Sequence, residues 1–150
     1  MLEEIRDLYQ EVVFDHNRNP RNFRVIDDAT RKIDGYNPLC GDRITLYVKL
    51  KDGVIDDVSF QGNGCAISTA SASIMTELVR GLTESEAHEL FQTFHRITTG
   101  KDEVTQIDEL GKLAVLAGVR AYPARVKCAT LAWHSLEAAL AEDGDSVTTE

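Results

Sequence analysis

The sequence predicts an α+β domain: a small antiparallel β-sheet of about three strands, covered by helices. Three observations carry this. Residues 43–60, "RITLYVKLKDGVIDDVSF", have the pattern of a β-hairpin. Strand signals cluster early, and helical periodicity fills most of the remaining chain. A chain of 150 residues with 43% hydrophobic residues suits one hydrophobic core rather than two.

Leu2, Ile5, Leu8, Tyr9, Val12 and Val13 recur at helical spacing, and a first helix should end near "NRNP", because Pro20 disfavours helix at Asn19. "ATRKIDGYN" (29–37) supplies a candidate strand. Ile44, Leu46, Val48 and Leu50 alternate with Thr45, Tyr47, Lys49 and Lys51, the pattern of a half-buried strand, and Asp52-Gly53 is a two-residue hairpin turn leading to a return strand over 54–60. "QGNGC" (61–65) is a Gly-rich turn opening a helix, "AISTASASIMTELVR", whose small residues predict close packing and which Gly81 should end. "TESE" (83–86) has capping-box spacing ahead of Ala87, Leu90, Phe91 and Phe94. Ile107, Leu110, Leu113, Ala114 and Ala117 mark a further helix. Pro123 suits the first turn of a last one carrying Val126, Ala129, Trp133, Leu136 and Leu140. No repeat or linker interrupts the chain, so a single domain is expected over 1–141, with 142–150 an acidic, disordered tail.

Charge and hydropathy exclude several function classes. A net charge of −9, from 16 basic and 25 acidic residues, argues against nucleic acid as a partner, since phosphate neutralisation drives such binding. No apolar run approaches the ~20 residues of a membrane span. The N-terminus "MLEEIRDLYQ" is acidic and amphipathic, without the basic and apolar blocks of a secretory signal. A cytoplasmic protein without membrane attachment is expected.

Three cysteines, Cys40, Cys65 and Cys128, then need an account. Disulfides do not persist in a reducing cytoplasm, which leaves inert buried thiols, a nucleophile or metal ligands. Cys40 lies in "NPLCGDRI" (37–44), a turn running into a strand with Asp42 two residues on. Cys65 ends a Gly-rich turn at a helix N-terminus, where a thiol pKa should be lowered. Cys128 lies in the early turns of the last helix. Three thiolates and the Asp42 carboxylate would make a tetrahedral set that zinc accepts readily, and ferrous iron and iron–sulfur clusters also favour thiolate. Spacing alone leaves three small buried thiols equally open.

The same segments carry a resemblance. "NPRN" (19–22), "CGD" (40–42) with its hairpin, "GCAIS" (64–68) and "KCATLAW" (127–133) resemble the U-type iron–sulfur cluster assembly proteins, comprising IscU, SufU and the NifU N-terminal domain. The likeness runs in order over residues 2–141. It implies a compact α+β fold, metal ligation by Cys40, Asp42, Cys65 and Cys128, and a role as sulfur acceptor and scaffold beside a pyridoxal-phosphate-dependent cysteine desulfurase. Lys127 stands where the IscU branch has histidine, and the stretch between Cys65 and Cys128 is longer, around residues 97–120; both features resemble the SufU branch. That branch implies a zinc-bound sulfurtransferase, with an iron–sulfur cluster held transiently if at all, passing sulfur to a downstream scaffold or apo-protein acceptors.

Cys40, in a turn near the surface, is the candidate acceptor, because sulfur transfer needs an accessible thiolate. Leaving a metal to react, it would need the partner to supply a replacement ligand. Arg125, one helical turn before Cys128, and Lys127 are candidates for offsetting negative charge around the thiolates. Among the histidines, His16 is expected to cap the first helix, His88 and His95 to cover a helix surface, and His134 to lie away from the thiols. "NPRN" reads as a turn, near either the metal end or a partner surface. The alternative function is a structural zinc module without sulfur transfer, which should unfold when the metal is removed. A zinc hydrolase or deaminase would want H-x-E and P-C-x-x-C, and neither is present.

Overall fold

The computed structural model describes residues 2–99, 116, 119, 123–141 and 146–148. Helix α1 (Leu2–Arg18) leads to strands β1 (Arg31–Asn37), β2 (Asp42–Lys51) and β3 (Val54–Asn63). Helices α2 (Ala66–Val79), α3 (Glu84–Thr98) and α4 (Pro123–Leu140) come next, then a short strand β4 (Ser146–Thr148). The sheet order is β3-β2-β1-β4, with β1, β2 and β3 antiparallel and β4 parallel to β1. The α+β expectation therefore holds, with one difference: part of the stretch read as a disordered tail is strand β4, which adds to the edge of β1 through Asp34↔Ser146 and Tyr36↔Thr148. Short strands of this kind are set by the edge they meet, which local composition does not reveal. The helix expected over 107–117 falls outside the described residues except for Leu116, which is buried, as is Val119.

The hairpin forms where Asp52-Gly53 places it. Both residues have positive φ, 54° and 78°, as the tight turn between right-twisted strands requires. A bulge at Lys49/Leu50 shifts the register just before it. On the inner face of the sheet Ile33, Ile44, Leu46, Val48, Val58 and Phe60 are buried, each contributing about 1.5–3 kcal/mol of apolar transfer. The alternation that makes this face apolar continues to one end of β1 and β2, and there it turns polar. The inward residues at that end are Asn37 and Asp42, register partners across the two strands and both buried.

The helices converge on this face. α2 is buried on almost every side from Ser68 to Thr76, and its Ala and Ser residues let α1 and α4 approach closely. Ser71 donates to the Ala129 carbonyl of α4 and accepts from the Trp133 indole N–H. Trp133 packs on Phe94 of α3, ring centroids 4.9 Å apart. α4 crosses β1 at Gly35, where any Cβ would collide with Ser135 of α4 and with Ile44 of β2 and would crowd Leu131. The predicted capping box is formed: Thr83 accepts from the Glu86 N–H, and Glu86 accepts from the Thr83 N–H. Among the described residues, no helix is long and apolar enough to cross a membrane.

"NPRN" is a turn that clasps α2 rather than the polar end of the sheet. The Arg21 N–H donates to Ser73 Oγ at 2.8 Å, and Asn22 Nδ2 donates to Thr76 Oγ1 at 3.0 Å. His16 is no helix cap. It is fully buried, with Nδ1 2.7 Å from Ser73 Oγ and Nε2 3.7 Å from Glu77. The end of α1 itself is exposed at Asn17 and Arg18, but the His16 ring turns inward against α2 and its Nδ1 meets Ser73 rather than a terminal carbonyl.

Candidate metal centre

Four segments meet at the polar end of the sheet. The β1–β2 loop is short because it is wound by its own backbone: the Gly41 N–H donates to the Asn37 carbonyl at 2.8 Å, with Gly41 at φ 76°. The Leu39 N–H donates to Asn37 Oδ1 at 3.3 Å, an Asx turn. Cys40 is thereby exposed on the loop and Asp42 is turned inward at the first position of β2. Cys65 is the N-cap of α2, its Sγ accepting from the Ser68 N–H at 3.4 Å. Cys128 is buried in the second turn of α4.

The side chains converge although the residues lie far apart in sequence. Cys128 Sγ is 3.3 Å from Cys40 Sγ, across 88 residues. Cys65 Sγ is 3.9 Å from Asp42 Oδ2, and the Cys65 N–H donates to Asp42 Oδ1 at 2.8 Å. Ligand atoms of Cys40, Asp42 and Cys128 all lie within 4.8 Å of one another. Metal–sulfur bonds of about 2.3 Å in a tetrahedron put ligand atoms ~3.7 Å apart, so these three donors could hold a small tetrahedral ion; Cys65 adjoins them through Asp42 but is not one of that group of three.

The electrostatics match a thiolate-rich site. A hydrogen bond from Cys128 is the largest influence holding the Cys65 thiol down to about 6; the Ser68 N–H adds to it, against partial burial and the Asp42 charge. The Cys128 thiol is pushed up, first by that same hydrogen bond to Cys65 and then by burial, so the shared proton stays on Cys128. Arg125 extends Nη1 to 3.7 Å from Cys40 Sγ. Lys127 is exposed on the same turns of α4. His134 is remote in character from this centre: its ring packs on Phe91 and on His95, with centroids 5.3 and 5.8 Å away, and burial lowers its pKa. His88 pairs with Glu137 at 2.7 Å.

Sequence reasoning missed Asn37. It is fully buried, and its Nδ2 donates to Asp42 Oδ2 at 3.2 Å and to Cys128 Sγ at 3.5 Å. The signal that could have found it was the strand alternation of β1, Ile33-Gly35-Asn37, which places an amide at an inward position three residues before Cys40.

A small α+β domain that gathers three thiols and a carboxylate at one end of its sheet defines a class of metal- and sulfur-handling proteins. The chain belongs to the family described as NifU-like N terminal domain, which residues 8–130 match. It is 43% identical over 136 residues to the zinc-dependent sulfurtransferase SufU of Bacillus subtilis, covering 91% of each chain. It is 42% identical over 139 residues to the iron-sulfur cluster assembly scaffold protein IscU of Streptococcus pyogenes, covering 93% of this chain and 86% of that one. A crystal structure of an iron-sulfur cluster assembly scaffold protein for the SUF system from Fervidobacterium islandicum superposes with a TM-score of 0.82 at 37% identity, over 89% of this chain and 96% of that one.

Proposed function

We propose that this protein accepts persulfide sulfur from a pyridoxal-phosphate-dependent cysteine desulfurase at a zinc centre formed by Cys40, Asp42, Cys65 and Cys128, for iron–sulfur cluster assembly. The observation that carries this reading is the convergence of three sulfurs and one carboxylate from four separate segments, with Cys40 and Cys128 at 3.3 Å and Cys65 and Asp42 at 3.9 Å. The names of the relatives support it: one is a zinc-dependent sulfurtransferase and another a cluster assembly scaffold. Bound zinc would keep the thiols deprotonated and shield them from oxidation.

The chain's own residues divide the work by exposure. Cys40 is the exposed thiol of the four ligands and the one a partner enzyme reaches. In the transfer, the Cys40 thiolate attacks the terminal sulfur of the partner's cysteine persulfide. A new S–S bond forms at Cys40, and the partner's S–S bond breaks with its electron pair, leaving a thiolate there. The proton on the terminal sulfur travels with it, so the exchange needs no added oxidant or reductant. Arg125, beside Cys40, offsets the negative charge of the persulfide, and Lys127, exposed two residues further along α4, adds positive charge to that end of the helix. The sulfur then passes to a downstream scaffold or to apo-protein acceptors.

The test is desulfurase-driven sulfur loading followed by intact and peptide mass spectrometry. The unaltered chain gains one sulfur on Cys40, and Cys40→Ala gains none. Full loading of Cys40→Ala would end the acceptor assignment. Chelation separates transfer from a purely structural zinc module: a transfer protein keeps its circular dichroism without zinc and gains thiol reactivity, while a structural module unfolds.

A further inference from the structure

The buried amide of Asn37 touches two of the four candidate ligands and reacts with none of them. Its orientation is set by its surroundings. Oδ1 accepts the Leu39 N–H at 3.3 Å, so Nδ2 must face the other way, toward Asp42 Oδ2 at 3.2 Å and Cys128 Sγ at 3.5 Å. A flipped amide would set its oxygen against a carboxylate and a sulfur, and its N–H₂ against the Leu39 N–H. The two amide protons are thus divided between two acceptors of different chemistry. Asp42 is held at both oxygens, Oδ1 by the Cys65 N–H and Oδ2 by Asn37. Cys128 is held at its sulfur and fully buried. Cys40 receives nothing from this amide and is exposed.

Resting on the metal-centre reading above, we propose that Asn37 is the positioning residue that divides the centre into a fixed half and a releasable half. Its amide aims Asp42 and damps the charge on Cys128, so that these two stay in place. Cys40, outside its reach, is the thiol that becomes free. An N–H···S hydrogen bond draws electron density from a thiolate and lowers its nucleophilicity without removing it as a ligand. Asn37 would therefore set which cysteine takes the sulfur, not merely how tightly the ion is held.

The experiment uses the full chain and compares Asn37→Ala and Asn37→Ser with the unaltered protein, loaded with zinc or with cobalt(II) as a spectroscopic probe. Chelator competition should show zinc affinity falling about 10–100-fold in Asn37→Ala and less in Asn37→Ser, which keeps one donor. The sulfur-to-cobalt charge-transfer absorption should move to lower energy, because a thiolate freed of its hydrogen bond is a better electron donor. Limiting iodoacetamide on the zinc-loaded protein, mapped by peptide mass spectrometry, should mark Cys40 almost alone in the unaltered chain and a raised share of Cys128 in Asn37→Ala. If Asn37→Ala does not fold by circular dichroism, the same readouts on Asn37→Ser decide. Unchanged affinity, charge-transfer energy and labelling in the variants would overturn the proposal while Asp42→Ala and Cys128→Ser still lose zinc. If Asp42→Ala and Cys128→Ser hold zinc as the unaltered chain does, the metal-centre reading fails and this proposal with it.

Discussion

Two buried polar clusters lie on the same side of the sheet, and they differ in how lone pairs and protons balance. At the α1–α2 seam, His16 and the Arg21 N–H both meet Ser73 Oγ, Asn22 donates to Thr76, and Thr76 in turn donates to the Ser73 carbonyl at 2.7 Å. Donors and acceptors there are matched. At the sheet end, three sulfurs and two carboxylate oxygens share a few N–H groups from Asn37, Cys65, Ser68 and Arg125. Deprotonated, those sulfurs and the Asp42 carboxylate would be an excess of negative charge, and such an excess calls for a cation. Burial of polar groups is common to both clusters. The imbalance separates a seam from a site.

The contrast breaks most sharply at the cysteines. Cys65→Ser and Cys128→Ser should each reduce zinc from about one ion per chain to background, as read by elemental analysis of dialysed protein, since a closed tetrahedral set does not tolerate the loss of a thiolate. Zinc retained at full stoichiometry would place the ion elsewhere. Next in size, Ser73→Ala should destabilise the fold by about 1–3 kcal/mol in denaturant unfolding, because it strands the Arg21 N–H and a His16 nitrogen inside the protein. Zinc content should not change. A variant that loses zinc and stability together would mean that seam and site are one cooperative unit.

A third outcome is read by pH. In metal-free protein, Cys65 has a thiol held near 6, so its alkylation rate should climb as pH rises through about 6 and level off above, while Cys128, whose thiol is pushed up, stays slow over the same range. Equal rates for the two would remove the asymmetry on which the site's electrostatics rest. The smallest effect belongs to neither cluster and serves as the baseline. A hydrogen bond from Arg24 holds the partly exposed Asp57 carboxyl below its ordinary value, at 2.7 Å. Because the folded value lies below the unfolded one, the stabilisation is present above about pH 4 and disappears as pH falls through the folded value. Asp57→Asn should cost about 0.5–1 kcal/mol at pH 7, shrinking toward nothing in acid, in urea melts at the two pH values.

Local chemistry made much of the architecture legible. Alternation over 44–50, the Asp52-Gly53 turn, the Thr83 capping box and Pro123 at a helix start each depend on residues a few positions apart, and each is found where expected. The cysteines were legible as candidates because a thiol beside glycine in a turn is uncommon, and their convergence needed the fold. His16 and Asn37 were misread or passed over for one reason. A polar residue near a helix end or a turn looks like a cap or a loop residue until its partners, 57 and 91 residues away, are known. β4 was hidden likewise, since three residues become a strand only when an edge is offered.

The hairpin has a practical use. β2 runs ten residues from Asp42, inside the thiol cluster, to Lys51, beside the Asp52-Gly53 tip, a span of ~30 Å. A dye, bead or surface linkage placed at that tip leaves the reactive end pointing into solution. Single-molecule and immobilised-binding formats can thus present the cysteines to an incoming enzyme without competing with it for space.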